Sequence, residues 1–174
     1  MTPHIKLNLV LPSECKQELL LIEDYYTLKY STTSSGHAFR SFTKSPRDVY
    51  NIRNKTNYIS TTSWNKIPNT TQWITNNLCE ESQLGMVCLN KLSAGGSVKW
   101  HSHGSYEMEI VHFSLITNDL DLSEVRKNGE IFTMNYPERE GYILNSFLDH
   151  RSTNFSEHDR IHLVVECNSI QSMI

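Results

Sequence analysis

Trp100-His101-Ser102-His103-Gly104 places two imidazoles two residues apart, just after the glycine pair of Ala94-Gly95-Gly96-Ser97. In an extended strand, residues i and i+2 point to the same face, so His101 and His103 can both aim into one cavity. Two neutral imidazoles on one face suit a divalent ion such as Fe, Zn, Ni or Mn. A lone pair of this kind is also common on surfaces and in hydrogen-bonded cores. It acquires meaning only if the chain supplies further ligands and a reason to hold a metal.

Further groups follow. His112 lies in Ile110-Val111-His112-Phe113-Ser114-Leu115, where Val111, Phe113 and Leu115 share one strand face and Ile110, His112 and Ser114 the other. A histidine in so apolar a strand needs a partner, either a neighbouring side chain or an anionic ligand in a cavity. Asp149-His150-Arg151 comes next, then Arg160-Ile161-His162-Leu163-Val164-Val165-Glu166. Ile161, Leu163 and Val165 form one face there, and Arg160, His162 and Val164 the other. A guanidinium pointing into a barrel is costly unless it meets a carboxylate. The neighbouring strands offer few obvious carboxylates, so the expected partner is a small molecule that carries one, held by two parallel hydrogen bonds.

The elements that must position these groups read as follows. Ile5 to Leu11 alternates like a strand. Pro12-Ser13 opens a helix over Glu14 to about Tyr26, with Ser13 as its N-cap. Residues 30–68 are polar but carry Phe39, Phe42, Tyr50, Tyr58 and Trp64, which suggests loops and short strands rather than disorder. Thr70 to Leu78 reads as a second helix. After Glu81 the texture becomes that of short strands: Gly85–Leu92, a Gly95-Gly96 turn, Ser97–His101, Glu109–Thr117, Gly129–Asn135, Gly141–Asn145 and Arg160–Cys167. That rhythm belongs to an antiparallel sandwich or barrel. The expectation is one domain over residues 1–174, with 1–84 supplying supporting helices and strands and 85–168 a jelly-roll core.

Bulk properties narrow the function. The chain has 174 residues, 38% hydrophobic and 20% charged, with net charge −3. No basic excess is present to bind a phosphate backbone, so nucleic acid is disfavoured as a partner. No apolar run approaches the roughly 20 residues of a membrane span, and no signal peptide is evident. The four cysteines, Cys15, Cys79, Cys88 and Cys167, have no C-x-x-C spacing and read as free thiols in a reducing, cytoplasmic setting. Asn-x-Ser/Thr triplets at Asn54, Asn69 and Asn154 read as chance in an Asn- and Thr-rich chain.

From Cys88 to Cys167 these residues resemble the aspartyl/asparaginyl β-hydroxylase family of Fe(II)- and 2-oxoglutarate-dependent dioxygenases, which are double-stranded β-helix (jelly-roll) proteins. Gly95-Gly96, His101, His112 in its His-Phe-Ser-Leu-Ile-Thr-Asn run, Gly129-Glu130, Asn145-Ser146, His150, Asn154 and the Arg160 strand carry the resemblance. His112 follows His101 by 11 residues and Arg160 follows His150 by 10. The resemblance implies that His101 and His150 bind Fe(II). It implies that Arg160 pairs with the distal carboxylate of 2-oxoglutarate and that His112 lies near the other end of this co-substrate. It also places Asn90 where a small hydroxyl residue helps hold 2-oxoglutarate, and it makes O2 the oxidant.

Two departures bear on the chemistry. His103 stands where many iron dioxygenases carry the Asp or Glu of a facial triad. Three roles are open to it: a third protein ligand, a hydrogen-bond partner of a metal-bound water, or a solvent-facing residue. A three-histidine site is less negative and could favour Zn or Ni. Secondly, Tyr106-Glu107-Met108-Glu109 follows the first ligand, with no arginine before His112. Either the two glutamates lie on a solvated edge, or this stretch, with Tyr106 and Glu107 as its substrate-facing candidates, lines the pocket mouth, where Glu107 and Glu109 would repel a carboxylate and attract an amine or guanidinium. The expected activity is oxidation of an amino acid, a peptide residue or a small metabolite. The competing readings are a cupin-type metal-binding or sensor protein, or an isomerase or lyase with His103 as base. Oligomeric state is not legible.

Overall fold

The computed structural model describes residues 2–22, 34–42, 63–103 and 109–170. Nine strands build it: β1 (His4–Val10), β2 (Ser34–Ser41), β3 (Leu84–His101), β4 (Glu109–Ile116), β5 (Asp121–Lys127), β6 (Glu130–Met134), β7 (Glu140–Leu144), β8 (Asp149–Asn154) and β9 (Arg160–Cys167). Two helices accompany them, α1 (Ser13–Leu20) and α2 (Pro68–Asn77). The sheet order is β1-β7-β4-β9-β3-β8-β5-β6, with β2 also on β3, and every named strand pair is antiparallel. The protein is thus mainly β, a curled jelly roll with two helices, as the strand rhythm indicates.

Several local expectations need correction. Ser13 is the first helical residue of α1 rather than its cap, and Pro12 precedes it without a side-chain cap bond. That helix stops at Leu20; Tyr26 lies outside the described residues. Gly95-Gly96 does not turn the chain back. Both glycines sit inside the long strand β3, and Gly95 takes φ +66°. Such a conformation suits glycine, and here it bulges the strand. Before the bulge β3 pairs with β9; after it, with β8. The bulge thereby hands one strand from one part of the roll to the next. By contrast, Asn128 and Gly129 do make a tight turn, both with positive φ, and join β5 to β6 as a two-residue hairpin. Strands β5 and β8 are absent from the sequence reading. Their inward positions are largely polar, including Asp121, Ser123, His150 and Asn154, so they lack an apolar alternation.

The main apolar core lies between the helices and the outer face of the sheet. Leu7, Leu11, Cys15, Leu19, Ile74 and Leu78 pack there with Val111, Phe113, Leu115, Leu163 and Val165. Trp73 of α2 meets the Phe113 ring edge-on at 5.3 Å. The start of α2 has no side-chain cap of its own, yet its N–H groups are satisfied. The Glu18 carboxylate of α1 accepts from the backbone N–H of Asn69 (3.0 Å) and Thr70 (2.8 Å) and from the Thr70 hydroxyl (2.7 Å). An anion at a helix N-terminus is favoured by the helix dipole, so one side chain docks the two helices. The opposite face of β4 and β9 behaves differently. Ile110 and Val164 form a small apolar cluster with Cys88, but His112, Ser114, Arg160 and His162 share that face and line a polar lumen.

All four cysteines are buried free thiols, with the sulfurs of Cys79 and Cys167 3.0 Å apart. Asn154 is fully buried: its amide donates to the carbonyls of Leu92, Ser93 and His158. It is a brace between β8 and β3, which agrees with reading its triplet as chance. Among the described residues, no helix is long and apolar enough to cross a membrane.

Candidate metal centre and lumen

His101 and His150 are register partners on β3 and β8, and their ring centroids lie 4.3 Å apart. The His101 Nδ1 is 2.8 Å from the Lys99 carbonyl, and the His150 Nδ1 is 2.9 Å from the Leu148 carbonyl. A carbonyl only accepts, so in each ring Nδ1 carries the proton and Nε2 keeps its lone pair. This second contact fixes tautomer and orientation, as it commonly does for metal-binding histidines. His103 joins them, its ring 5.3 Å from His101 and 4.9 Å from His150. Its backbone N–H donates to the Ser146 carbonyl at 2.9 Å, which ties the end of β3 to the β7–β8 turn.

One potential ligand atom from each of the three rings lies within 4.8 Å of the others. That donor set fits a divalent transition metal. Burial brings His150 down to about 4, against the opposing pull of the Leu148 carbonyl, so the ring is neutral and ready to ligate at neutral pH. The strands are also clamped beside these histidines. The Trp100 ring has the Arg126 guanidinium 4.3 Å and the Arg151 guanidinium 4.8 Å from its centroid. Arg151 is in turn held by both oxygens of Glu124.

Deeper in the lumen lies Arg160, buried on β9. Here a sequence expectation is corrected: Arg160 does have an internal carboxylate. Its Nη1 donates to Asp121 Oδ1 at 2.9 Å, and both side chains are almost fully enclosed. Asp121 sits on β5, which is not next to β9 in the sheet, so only the curl of the roll brings the two together. Sequence alone gives no view across a lumen. Arg160 Nε, however, has no hydrogen-bond partner among the described residues. The guanidinium is thus engaged at Nη1 and leaves its Nε donor unused.

His162, two residues along the same face, brings Nε2 to 3.6 Å from Asp121 Oδ2. Burial alone would raise Asp121; His162 and Arg160 beside it overcome this and hold its carboxyl below the ordinary value. His162 itself is brought down to about 4 by burial and by Arg160.

His112 has neither ring nitrogen hydrogen-bonded among the described residues, although both are shielded from solvent. Its ring stacks on Tyr136, with the planes 4° apart and centroids 5.7 Å apart, and meets the His162 ring in a T-shaped arrangement at 6.0 Å. Burial, then the neighbouring His162 and Arg160, hold His112 well below its ordinary value. The Tyr136 hydroxyl is 3.0 Å from His4 Nδ1, which draws β1 into the wall. At the β2 side, Asn90 Oδ1 is 2.8 Å from His37 Nε2, so the ring donates and the amide accepts. Asn90 therefore lines the lumen with its oxygen engaged by His37. Tyr106 and Glu107 lie outside the described residues.

The structure thus gathers His101, His103 and His150 at one place and sets Arg160 and His112 in the same lumen. Sequence reasoning missed Asp121, Tyr136, His37 and His4. It placed His162 on the Arg160 face but assigned it no role. Arg160 Nε, both ring nitrogens of His112 and the Ser114 hydroxyl are buried on this face with no hydrogen-bond partner among the described residues, a concentration that calls for a polar partner.

The sequence matches the aspartyl/asparaginyl beta-hydroxylase family over residues 28–169, most of the chain and well beyond the segment whose motifs are readable. No curated protein matches it. Among solved structures, the chain is similar to an oxidoreductase of the 2OG-Fe(II) oxygenase family from Burkholderia pseudomallei. The TM-score is 0.65 at 10% identity, covering 90% of this chain and 78% of that one. It is also similar to SnoK, a non-heme alpha-ketoglutarate-dependent carbocyclase of nogalamycin biosynthesis, with TM-score 0.60, 9% identity and coverage of 95% and 79%. A non-heme monooxygenase, ThoJ, in a nickel complex gives TM-score 0.54 at 11% identity, covering 99% and 76%. At these identities the likeness is one of fold.

Proposed function

Because the chain belongs to the aspartyl/asparaginyl β-hydroxylase family, we propose that it is an Fe(II)- and 2-oxoglutarate-dependent oxygenase. Its substrate would be an amino acid, a peptide residue or a small amino-acid-derived metabolite. The observation that carries this reading is the convergence of His101, His103 and His150, with Arg160 presenting an unpartnered Nε in the same lumen. Bound iron with 2-oxoglutarate would supply oxidation of a C–H bond by O2, coupled to decarboxylation of the co-substrate.

The chain's own residues have four tasks. His101 and His150 offer Nε2, each locked by a backbone carbonyl behind it. His103 stands where a carboxylate is usual and serves as the third ligand in this reading. Arg160 Nε offers a charged donor to a carboxylate, and its bond to Asp121 stops the side chain from turning away. His112, backed by Tyr136, supplies a neutral ring whose N–H lacks an acceptor. Walls of buried side chains keep water from the reacting atoms.

A net charge of −3 agrees with a small-molecule or peptide partner rather than nucleic acid. A cytoplasmic setting fits the four free thiols. The second reading, a cupin-type metal-binding protein without oxygen chemistry, is favoured by one observation, the histidine at position 103. Anaerobic addition of Fe(II) and 2-oxoglutarate separates them. The oxygenase gives a visible charge-transfer band and, once O2 is admitted, slow succinate formation. Metal uptake with neither signal leaves the binding protein.

A further inference from the structure

We infer that Asp121 and His162 make the Arg160 end of the lumen a proton-linked carboxylate site: a carboxylate that enters at the Arg160 Nε edge brings one proton with it, and that proton goes to His162. This deepens the co-substrate reading above and rests on it.

The argument is one of charge. Arg160 and Asp121 already neutralise each other, bonded at 2.9 Å and almost fully enclosed. A second carboxylate at the same guanidinium would leave a buried negative charge with no cation to match it, which is costly. A group able to become a cation stands beside this pair, His162. Its Nε2 is already 3.6 Å from the Asp121 carboxylate, and neither ring nitrogen makes a hydrogen bond among the described residues. As a cation it would face two carboxylates instead of one.

The other groups around it do not compete equally. His112, from β4, faces His162 at 6.0 Å, but the described residues place no carboxylate beside it. Tyr136, at 5.6 Å, is held in its protonated form by burial. Ser114 and Asn90, the register partners of His162 on the flanking strands, are neutral. Burial first, and then Arg160 on the same strand, keep His162 uncharged while no ligand is present. An entering anion opposes the Arg160 contribution and adds its own attraction for a proton on His162.

Asp121 is therefore a positioning residue with a second consequence. It makes the affinity for a dicarboxylate fall as pH rises, because the proton becomes scarcer. A 2-oxo acid with no distal carboxylate, such as pyruvate, draws no proton. The test is calorimetric titration of the Ni(II)-loaded full chain with 2-oxoglutarate, in buffers of different ionisation enthalpy.

The wild type is expected to take up about one proton per ligand near pH 7, and its affinity to fall by approaching tenfold per pH unit above that. In His162→Gln, 2-oxoglutarate should still bind, more weakly, with the uptake gone. In Asp121→Asn the uptake should also vanish, because Arg160 is then free to balance the ligand itself. The buffer series on the wild type needs no variant to fold. Binding without proton uptake overturns the inference and leaves the co-substrate reading standing, and so does uptake that persists in His162→Gln. No binding of 2-oxoglutarate overturns both.

Discussion

His101 and His150 face each other across two paired strands, and each gives its Nδ1 proton to the carbonyl two residues before it. The two rings are therefore equivalent in tautomer, and each strand aims its own ligand. Replacing either by alanine removes one of a few donors. The expected result is loss of about a hundredfold or more in Ni(II) or Fe(II) affinity, on the order of 3 kcal/mol, measured by competition with a chelator.

His103 differs in its place in the fold, two residues beyond the end of β3 and outside the register that pairs His101 with His150. His103→Ala should weaken metal binding by about tenfold, near 1.4 kcal/mol. His103→Asp should recover the loss and shift preference toward Fe(II), because a carboxylate is a harder ligand. Equal affinity for wild type and His103→Ala would remove His103 from the metal.

The Arg160–Asp121 pair predicts a stability effect. Asp121→Ala leaves a buried guanidinium without its carboxylate, which costs about 3–5 kcal/mol. Chemical denaturation of the metal-free protein measures this. A change below about 1 kcal/mol would mean that Arg160 finds water or another partner.

Acid should unfold the metal-free protein through its buried histidines. Burial holds His162, His37 and His150 at about 4, below the ordinary 6.5. Between those values the unfolded chain binds protons that the folded chain does not, so falling pH favours unfolding. Stability is full above about pH 6.5 and declines toward pH 4, by up to about 1.4 kcal/mol per unit for the enclosed His162 alone. Thermal melting between pH 7 and pH 4.5 checks the sign.

Away from the site, Glu18→Ala should cost about 1–2 kcal/mol by uncapping α2. Gly96→Ala should be worse tolerated than Gly95→Ala in contact terms. A Cβ at Gly96 would lie 2.8 Å from the Ser93 carbonyl and 2.9 Å from that of Ser35, whereas one at Gly95 meets nothing within 4 Å and carries only the strain of its φ. Far-UV circular dichroism during denaturation compares all three.

Much of this protein was legible in its sequence because its information there is local. Alternation in β4 and β9 separates an apolar face from a polar one, and the structure places Val111, Phe113, Leu163 and Val165 in the core accordingly. The spacing of His101 and His103 needs only one extended strand to bring both rings to one side. Other features had no local signal. Strands β5 and β8 turn polar residues inward, so hydrophobic periodicity passes over them. The pairing of His101 with His150 depends on where β3 bulges at Gly95 and changes partners. The meeting of Asp121 with Arg160 depends on the curl that closes the roll. A chain encodes which faces are polar through residue types two apart. Which polar groups then meet across the lumen is decided by register and curvature, properties that no single strand possesses.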